Sequence, residues 1–443
     1  MENGLISVDR WAEGSHVYFL THLHSDHTQG LTSSWSHGPL FCSRLTAKLL
    51  PFKFPNFDLS LLRILEIGTS HTLSLPSPSS SSSRTTIQVT AIDACHCPGS
   101  VMLLFRGEFG CVLHTGDFRW EHTCEKARKA KDMLRCALKD DGDGVDVLYI
   151  DNTYSNPTYD FPTRKVAAQQ VIDIISSHPD HDIIIGINTL GKEDLLLQIS
   201  RVLKIKIWVW PERLQTMHLL GFLDIFTTNT TLTRVRAVPQ YSFSIETLEA
   251  LNTMRPTIGI MPSGLPWVKK PLQKSELLSG SFLTSRYKRG RWSANNEVQI
   301  DKQIGNIEPL EKIHQYIYSV PYSDHSNFAE IEDFIKLVQP TSLKGIVSSS
   351  SCYIEPMYYF GRLCRVNQPI QQLHNTHKRK ESGKRVGAVS TKTSFGGDNA
   401  ESDRKRGKTL KAKFSGVRVS RLSILRKRHR GAKIKEINSP DHD

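Results

Sequence analysis

Residues 22–27 read His22-Leu23-His24-Ser25-Asp26-His27, three imidazoles and a carboxylate in six positions, directly after the apolar run Val17-Tyr18-Phe19-Leu20. A loop this dense in donors needs a rigid strand behind it, because side chains on a free loop are not held in one geometry. Imidazole nitrogen and carboxylate oxygen suit a borderline metal such as zinc. On an extended backbone His22 and His24 leave the same side. Asp26 and His27 follow where the chain turns and can face a second ion, the plan of a hydrolytic di-metal centre. A surface loop that happens to be rich in histidine would look the same, so the motif needs partners elsewhere.

The partners are present. The apolar run 87–92 leads into Asp93-Ala94-Cys95-His96-Cys97-Pro98-Gly99-Ser100, and the run 110–113 into His114-Thr115-Gly116-Asp117-Phe118-Arg119. Residues 145–150 lead into Asp151-Asn152-Thr153-Tyr154, and Val320-Pro321-Tyr322 into Ser323-Asp324-His325-Ser326. Each is a short β-prone run ending in a Gly-, Pro-, Asn- or Ser-marked loop that carries His or Asp.

These ordered motifs together resemble the metallo-β-lactamase nucleases of the β-CASP group, and within it the DNA crosslink-repair branch, over residues 5–370. The resemblance implies an α/β fold: a metallo-β-lactamase αββα sandwich with an inserted β-CASP cap. It divides the chain into residues 1–155 and 311–375 for the sandwich, 156–310 for the cap and 376–443 for a basic, disordered tail. It implies that His22, His24 and His96 bind a first metal, taken as zinc. Asp26, His27 and His325 would bind a second divalent ion (zinc, manganese or magnesium), and Asp117 would bridge the two. It also gives Asp9 a supporting role and places Asp151 beside the metals; both compete with the plainer reading of loop-capping carboxylates at strand ends. Val347 falls where DNA-cutting relatives carry Val and RNA-cutting ones His.

The apolar run 183–187 followed by Asn188-Thr189-Leu190-Gly191-Lys192-Glu193 reads as a strand feeding a helix start. Helix N–H groups and a lysine together favour a phosphate, although an ordinary helix start with a solvated lysine has the same pattern. Exonuclease-type members of the resembled branch carry a similar segment for a 5′-phosphate. That makes Thr189, Gly191, Lys192 and Asn327 candidate terminal-phosphate contacts, Asn327 standing where relatives show Ser and still able to donate to a phosphate.

Residues 376–443 hold 20 Lys+Arg against 7 Asp+Glu, while residues 1–375 balance 37 against 37, so the whole formal excess of +13 lies in the tail. Its composition cannot bury a core, and its basic clusters suggest nuclear import and non-specific phosphate binding. Arg286, Lys288, Arg289 and Arg291 could line a substrate cleft, with a solvated basic loop the equal alternative. Pro76-Ser77-Pro78-Ser79 and the serines after it read as a flexible loop. No apolar run approaches the ~18–20 residues of a membrane span, and the first residues do not read as a secretory signal. The eight cysteines form no CxxC pair, so neither a zinc ribbon nor a disulfide framework is expected. Cys95 and Cys97 flank His96, and on an extended segment both would point away from the side His96 uses. They read as reduced buried thiols of an intracellular protein.

The resulting expectation is a nuclear, metal-dependent 5′-to-3′ DNA exonuclease acting on single-stranded or duplex ends with a 5′-phosphate, in DNA repair or telomere-end processing. Repair or telomere proteins could dock on the tail. The alternatives are a structure-specific DNA endonuclease, an RNA-processing β-CASP nuclease, or an inactive DNA-binding scaffold; the filled ligand positions argue against the last.

Overall fold

The computed structural model describes residues 6–77, 80–139, 144–264, 312–347, 355–365 and 432–434. The basic residues 286–291 and the tail's basic clusters fall outside them.

Two sheets face each other in the first part of the chain. One runs Ala432–Ile434, Ile6–Val8, Val17–Phe19, Leu40–Ser43, Leu62–Leu65, parallel except for its first strand. The other runs Ser342–Gly345, Val147–Ile150, Gly110–His114, Val101–Gly107, Ser80–Asp93, Ser70–Ser77. Strand periodicity decides which side chains meet. Val101, Leu103 and Phe105 join Val17, Phe19 and Phe41 between the sheets. Met102 and Leu104 turn outward to Leu134, Phe334 and Ile335 of helices Glu125–Lys139 and Phe328–Val338. On the other outer face, Tyr18, Leu20 and Leu40 pack on Leu49 and Leu50 of helix Arg44–Lys53. Two sheets between two helix layers is the expected αββα sandwich.

The cap is a third sheet, ordered Phe226–Thr227, Ile207–Trp208, Val235–Pro239, Asp182–Ile187, Thr257–Pro262, Ile317–Val320, Lys312–His314, parallel but for the last strand. Helices Arg164–Ser177, Glu193–Leu203 and Pro211–Leu219 supply the crossovers. Ile183, Ile185, Leu195, Ile199 and Val235 share one apolar core with residues of these helices, as a sheet covered by helices requires.

The structure corrects three sequence expectations. Ile317–Val320 pairs in parallel with Thr257–Pro262, so the cap's sheet runs on to Val320 rather than ending at residue 310. The described serines on either side of residues 78–79 belong to two long antiparallel strands, with Pro76 opposite Arg84 and Ser77 opposite Ser80. Within the tail, Ala432–Ile434 forms a strand antiparallel to Ile6–Val8. No helix among the described residues is long and apolar enough to cross a membrane.

Strand direction is what gathers the site. Ile6–Val8, Val17–Phe19, Gly110–His114, Val147–Ile150, Asp182–Ile187 and Ile317–Val320 end respectively at Asp9, residues 21–27, Asp117, Asp151, residues 188–192 and His325. Loops at the carboxyl ends of parallel strands are where α/β sheets place ligands.

Candidate metal centre

Asp117 is the hub. Its Oδ2 lies 3.8 Å from His22 Nε2, 3.7 Å from His96 Nε2 and 3.9 Å from His325 Nε2, and its Oδ1 lies 3.2 Å from His27 Nε2. His24 Nδ1 lies 3.1 Å from His96 Nε2. Donors at these separations can share ions at the usual ~2.0–2.2 Å ligand distance. Three compact groups result: His22, His24, His96 with Cys97; His22, His27 with Asp117; and His96, Asp117 with His325. The close approach needs a glycine, since a Cβ on Gly116 (φ +54°) would meet Thr21 at 2.9 Å.

The second nitrogen of each histidine is occupied, and its partner decides which nitrogen faces inward. His27 Nδ1 donates to Asp9 Oδ2 (2.7 Å) and His325 Nδ1 to Asp151 Oδ2 (2.7 Å). Thr21 gives its hydroxyl proton to Asp9 Oδ2 at 2.6 Å, leaving its oxygen to accept from His22 Nδ1 at 3.0 Å. His96 Nδ1 donates to the Asp324 carbonyl (2.8 Å), and His24 Nε2 to the Leu190 carbonyl (2.9 Å). His22, His24, His96 and His325 therefore turn an unprotonated nitrogen toward Asp117 or its neighbours, while His27, held between Asp9 and Asp117, does so once it gives up its second proton. His22 Nε2 and His27 Nε2 are buried with no hydrogen-bond partner. Orphaned buried nitrogens are costly, and lone pairs aimed at a carboxylate fit a divalent cation.

Burial lowers His22 well below its ordinary value, helped by the neighbouring His27, His24 and His96, and takes His96 down to about 3. Burial works the same way on His27, but Asp117 and Asp9 outweigh it and raise that ring well above 6.5. His114, buried behind the cluster, is lowered to about 4 by burial. In metal-free protein these shifts have opposite signs in stability. His96 and His114 bind protons more weakly folded than unfolded, so their contribution is present above 6.5 and is lost as pH falls toward about 3 and 4. The raised His27 contributes fully below 6.5 and loses that contribution as pH rises through its folded value. The melting temperature of chelator-treated protein should therefore fall between about pH 6.5 and 5, above the carboxylate range. Added zinc should raise it at neutral pH. An unchanged melt across that interval would contradict the buried-neutral assignment.

The sequence-derived positions do not all converge. Asp26 couples electrostatically to His24 and Lys53 but stands outside the three compact groups. The structure corrects the reading of Cys97. The chain turns at Cys95 (φ +55°) instead of staying extended, which swings the Cys97 thiol beside His22, His24 and His96. Asn327 is corrected too. It caps helix Phe328–Val338, accepting from the Glu330 amide while Glu330 returns a bond to its own amide. It is buried and spent on that reciprocal cap, which takes it out of the phosphate contacts. Val347 is buried, its amide donating to Asn152 Oδ1 at 2.8 Å.

The corner at residues 189–192 lies directly against the centre. Gly191 (φ +104°) and Lys192 (φ +63°) are both left-handed. Lys192 Nζ sits 2.5 Å from Asp324 Oδ2, and Thr189 is exposed. Burial would raise the Asp324 carboxyl, but Lys192 overrides it and holds it down to about 2. The Gly191 amide donates to Glu193 Oε1 at 2.9 Å, so glycine serves the turn rather than offering a free donor. A cavity of about 580 Å³ opens here, lined by His96, Cys97, Lys192, Asp324, Tyr322 and Phe222 among others.

Sequence reasoning missed the partners that are backbone carbonyls, which no side-chain pattern reveals. It also missed Arg119, fully buried, whose guanidinium reaches Glu330 Oε2 (2.9 Å) and the carbonyls of Ser323 (3.0 Å) and Pro162 (3.2 Å). A cation two residues after Asp117, set between Phe118 and Trp120, is the available signal.

The DNA repair metallo-beta-lactamase model matches residues 222–351. The chain is 38% identical over 356 residues to the 5′ exonuclease Apollo of Danio rerio, covering 80% of this chain and 52% of that protein. Identity to the 5′ exonuclease Apollo of Gallus gallus is 35% over 352 residues, covering 79% and 63%. The DNA cross-link repair protein SNM1 of Arabidopsis thaliana is 30% identical over 352 residues, covering 76% and 62%. The chain thus spans between half and two thirds of the length of these relatives. Over most of its own length it is similar to 5′ exonucleases and DNA cross-link repair proteins, and the DNA repair metallo-beta-lactamase match over residues 222–351 points to the same family.

Proposed function

We propose that this chain is a divalent-metal-dependent 5′-to-3′ DNA exonuclease that starts from a 5′-phosphorylated end. The observation that carries this reading is the contact between the two halves of the site. The corner at residues 189–192 touches His24 through the Leu190 carbonyl and, through Lys192, reaches Asp324, whose carbonyl holds His96, so an end bound there presents its first linkage to the centre. The relatives' name, 5′ exonuclease, supports the same polarity.

His22, His24, His96 and Asp117 would hold a first ion, which the nitrogen-rich set suits to zinc. His27, His325 and Asp117 would hold the second, where zinc, manganese or magnesium fits, with Asp26 nearby through its field on His24. Such ions supply charge neutralisation at phosphorus and an activated water at neutral pH. The chain's own residues do the rest. Asp117 offsets the cations' mutual repulsion, and Asp9 and Asp151 fix the rings of His27 and His325. Lys192 exchanges Asp324 for the terminal phosphate, with Thr189 beside it. The basic tail adds sequence-independent attraction to DNA and carries the chain to the nucleus, where repair or telomere proteins can engage it.

The test uses strands bearing 5′-phosphate, 5′-hydroxyl or hairpin ends, and matched RNA, each with and without chelator. Stepwise loss of nucleotides from 5′-phosphorylated DNA, slowed at least about tenfold by 5′-hydroxyl (a single charge-assisted contact) and stopped by chelator, is expected. Preferential opening of hairpins or digestion of RNA would sink the proposal.

A further inference from the structure

We infer that the cap is a working part of the metal centre: a buried Arg213–Glu193 pair positions the Leu190 carbonyl, which holds His24 in its metal-binding tautomer. The inference rests on the reading of His24 as a metal donor. The geometry at His24 leaves one choice. A carbonyl can only accept, so the 2.9 Å contact from His24 Nε2 to Leu190 O requires the proton on Nε2 and leaves the lone pair on Nδ1. Nδ1 is the nitrogen that faces His96 Nε2 at 3.1 Å. Among the inward-facing histidines, His24 alone relies on a cap carbonyl from residues 182–203, whereas His22, His27 and His325 use Thr21, Asp9 and Asp151.

That carbonyl is not placed by helix or sheet pairing. It lies in the connection between strand Asp182–Ile187 and helix Glu193–Leu203. Lys192 there is held left-handed (φ +63°), a conformation that persists in a non-glycine residue only where surroundings over-determine it. Arg213, on helix Pro211–Leu219, provides that determination. It is fully buried and donates to the carbonyls of Thr189 and, at 2.9 Å, Gly191, and to Glu193 Oε1 at 2.7 Å. Glu193 Oε1 in turn accepts from the Gly191 amide at 2.9 Å. Leu190 is thus bracketed on both sides by residues fixed to one guanidinium. A planar fork can do this and an ammonium cannot. Arg213 touches none of the donors around Asp117, so it acts through Leu190 as a positioning residue.

The experiment measures zinc affinity by competition with a chromophoric chelator. It also reads the His24 tautomer in metal-free protein from ¹⁵N-histidine spectra. Arg213→Met strands Glu193, so the double variant Arg213→Met/Glu193→Gln, which leaves no buried charge, accompanies it; Arg213→Lys and His24→Ala are controls. Wild type should show the Nε2-protonated form of His24. The double variant should melt cooperatively, bind zinc about 10–100-fold more weakly, the range for lost outer partners, and show mixed His24 tautomers; lysine should restore little. Wild-type affinity and tautomer in a folded double variant would overturn the inference, as would an Nδ1-protonated His24 in the wild type whatever the variants do. Unchanged zinc affinity in His24→Ala would instead overturn the donor reading beneath it.

Discussion

Asp117→Ala should lose about a thousandfold or more in DNA hydrolysis while keeping its affinity for DNA. The side chain lies within 3.2–3.9 Å of His22, His27, His96 and His325 nitrogens. No other carboxylate appears in more than one of the compact donor groups among the described residues. Without it, two cations would face each other across neutral imidazoles, and at least one would bind poorly. Metal-derived charge stabilisation is worth several kcal/mol, and each ~1.4 kcal/mol is a factor of ten in rate. The fold should survive, because losing one of two like-signed demands on His27 relieves the buried pairing with Asp9 only in part. Single-turnover rates on 5′-phosphorylated DNA, together with filter binding, separate the two effects. Activity within about tenfold of wild type would mean that the bridging assignment is wrong.

Arg119→Met should cost about 3–5 kcal/mol of stability, the range for breaking a buried ion pair by removing one partner. Arg119 is fully buried, and Glu330 and Glu121 beside it are each less than one-tenth exposed. Burial already raises the Glu330 carboxyl, with Arg119 opposing it. Its guanidinium also ties the Ser323 carbonyl, and at 3.4 Å that of His325, to the sandwich. The melting temperature should therefore drop by roughly 10 °C, taking about 2–4 °C per kcal/mol for a unit of this size. Zinc should rescue part of the loss by holding His325 from the other side. Arg119→Lys should recover little, since one ammonium cannot reach Glu330 and the loop carbonyls together. A drop under about 2 °C would show that the network contributes nothing net.

The parts of this molecule written as side-chain periodicity could be read from its sequence. The strands ending at His22, His96, Asp117, Asp151 and His325 are legible as apolar runs meeting donor-rich loops. Misreadings arose where the backbone left the assumed geometry. Alternation placed the Cys97 thiol away from His96, but the left-handed Cys95 breaks the alternation. Asn327 was read through resemblance as a phosphate contact. The spacing Asn327 to Glu330 already spelled a capping box, and local hydrogen bonding won. The cap's continuation to Val320 depends on pairing with residues some sixty positions earlier, which local pattern cannot register. The Leu190 and Asp324 carbonyls carry no side-chain signature at all, yet they orient His24 and His96.

The central claim is that one carboxylate joins two metal half-sites, and native mass spectrometry of the zinc-loaded protein tests it most directly. Wild type should carry two ions, both removed by chelator, and Asp117→Ala should carry at most one under the same loading. Two ions retained in Asp117→Ala, or only one in the wild type at saturating metal, would contradict the account.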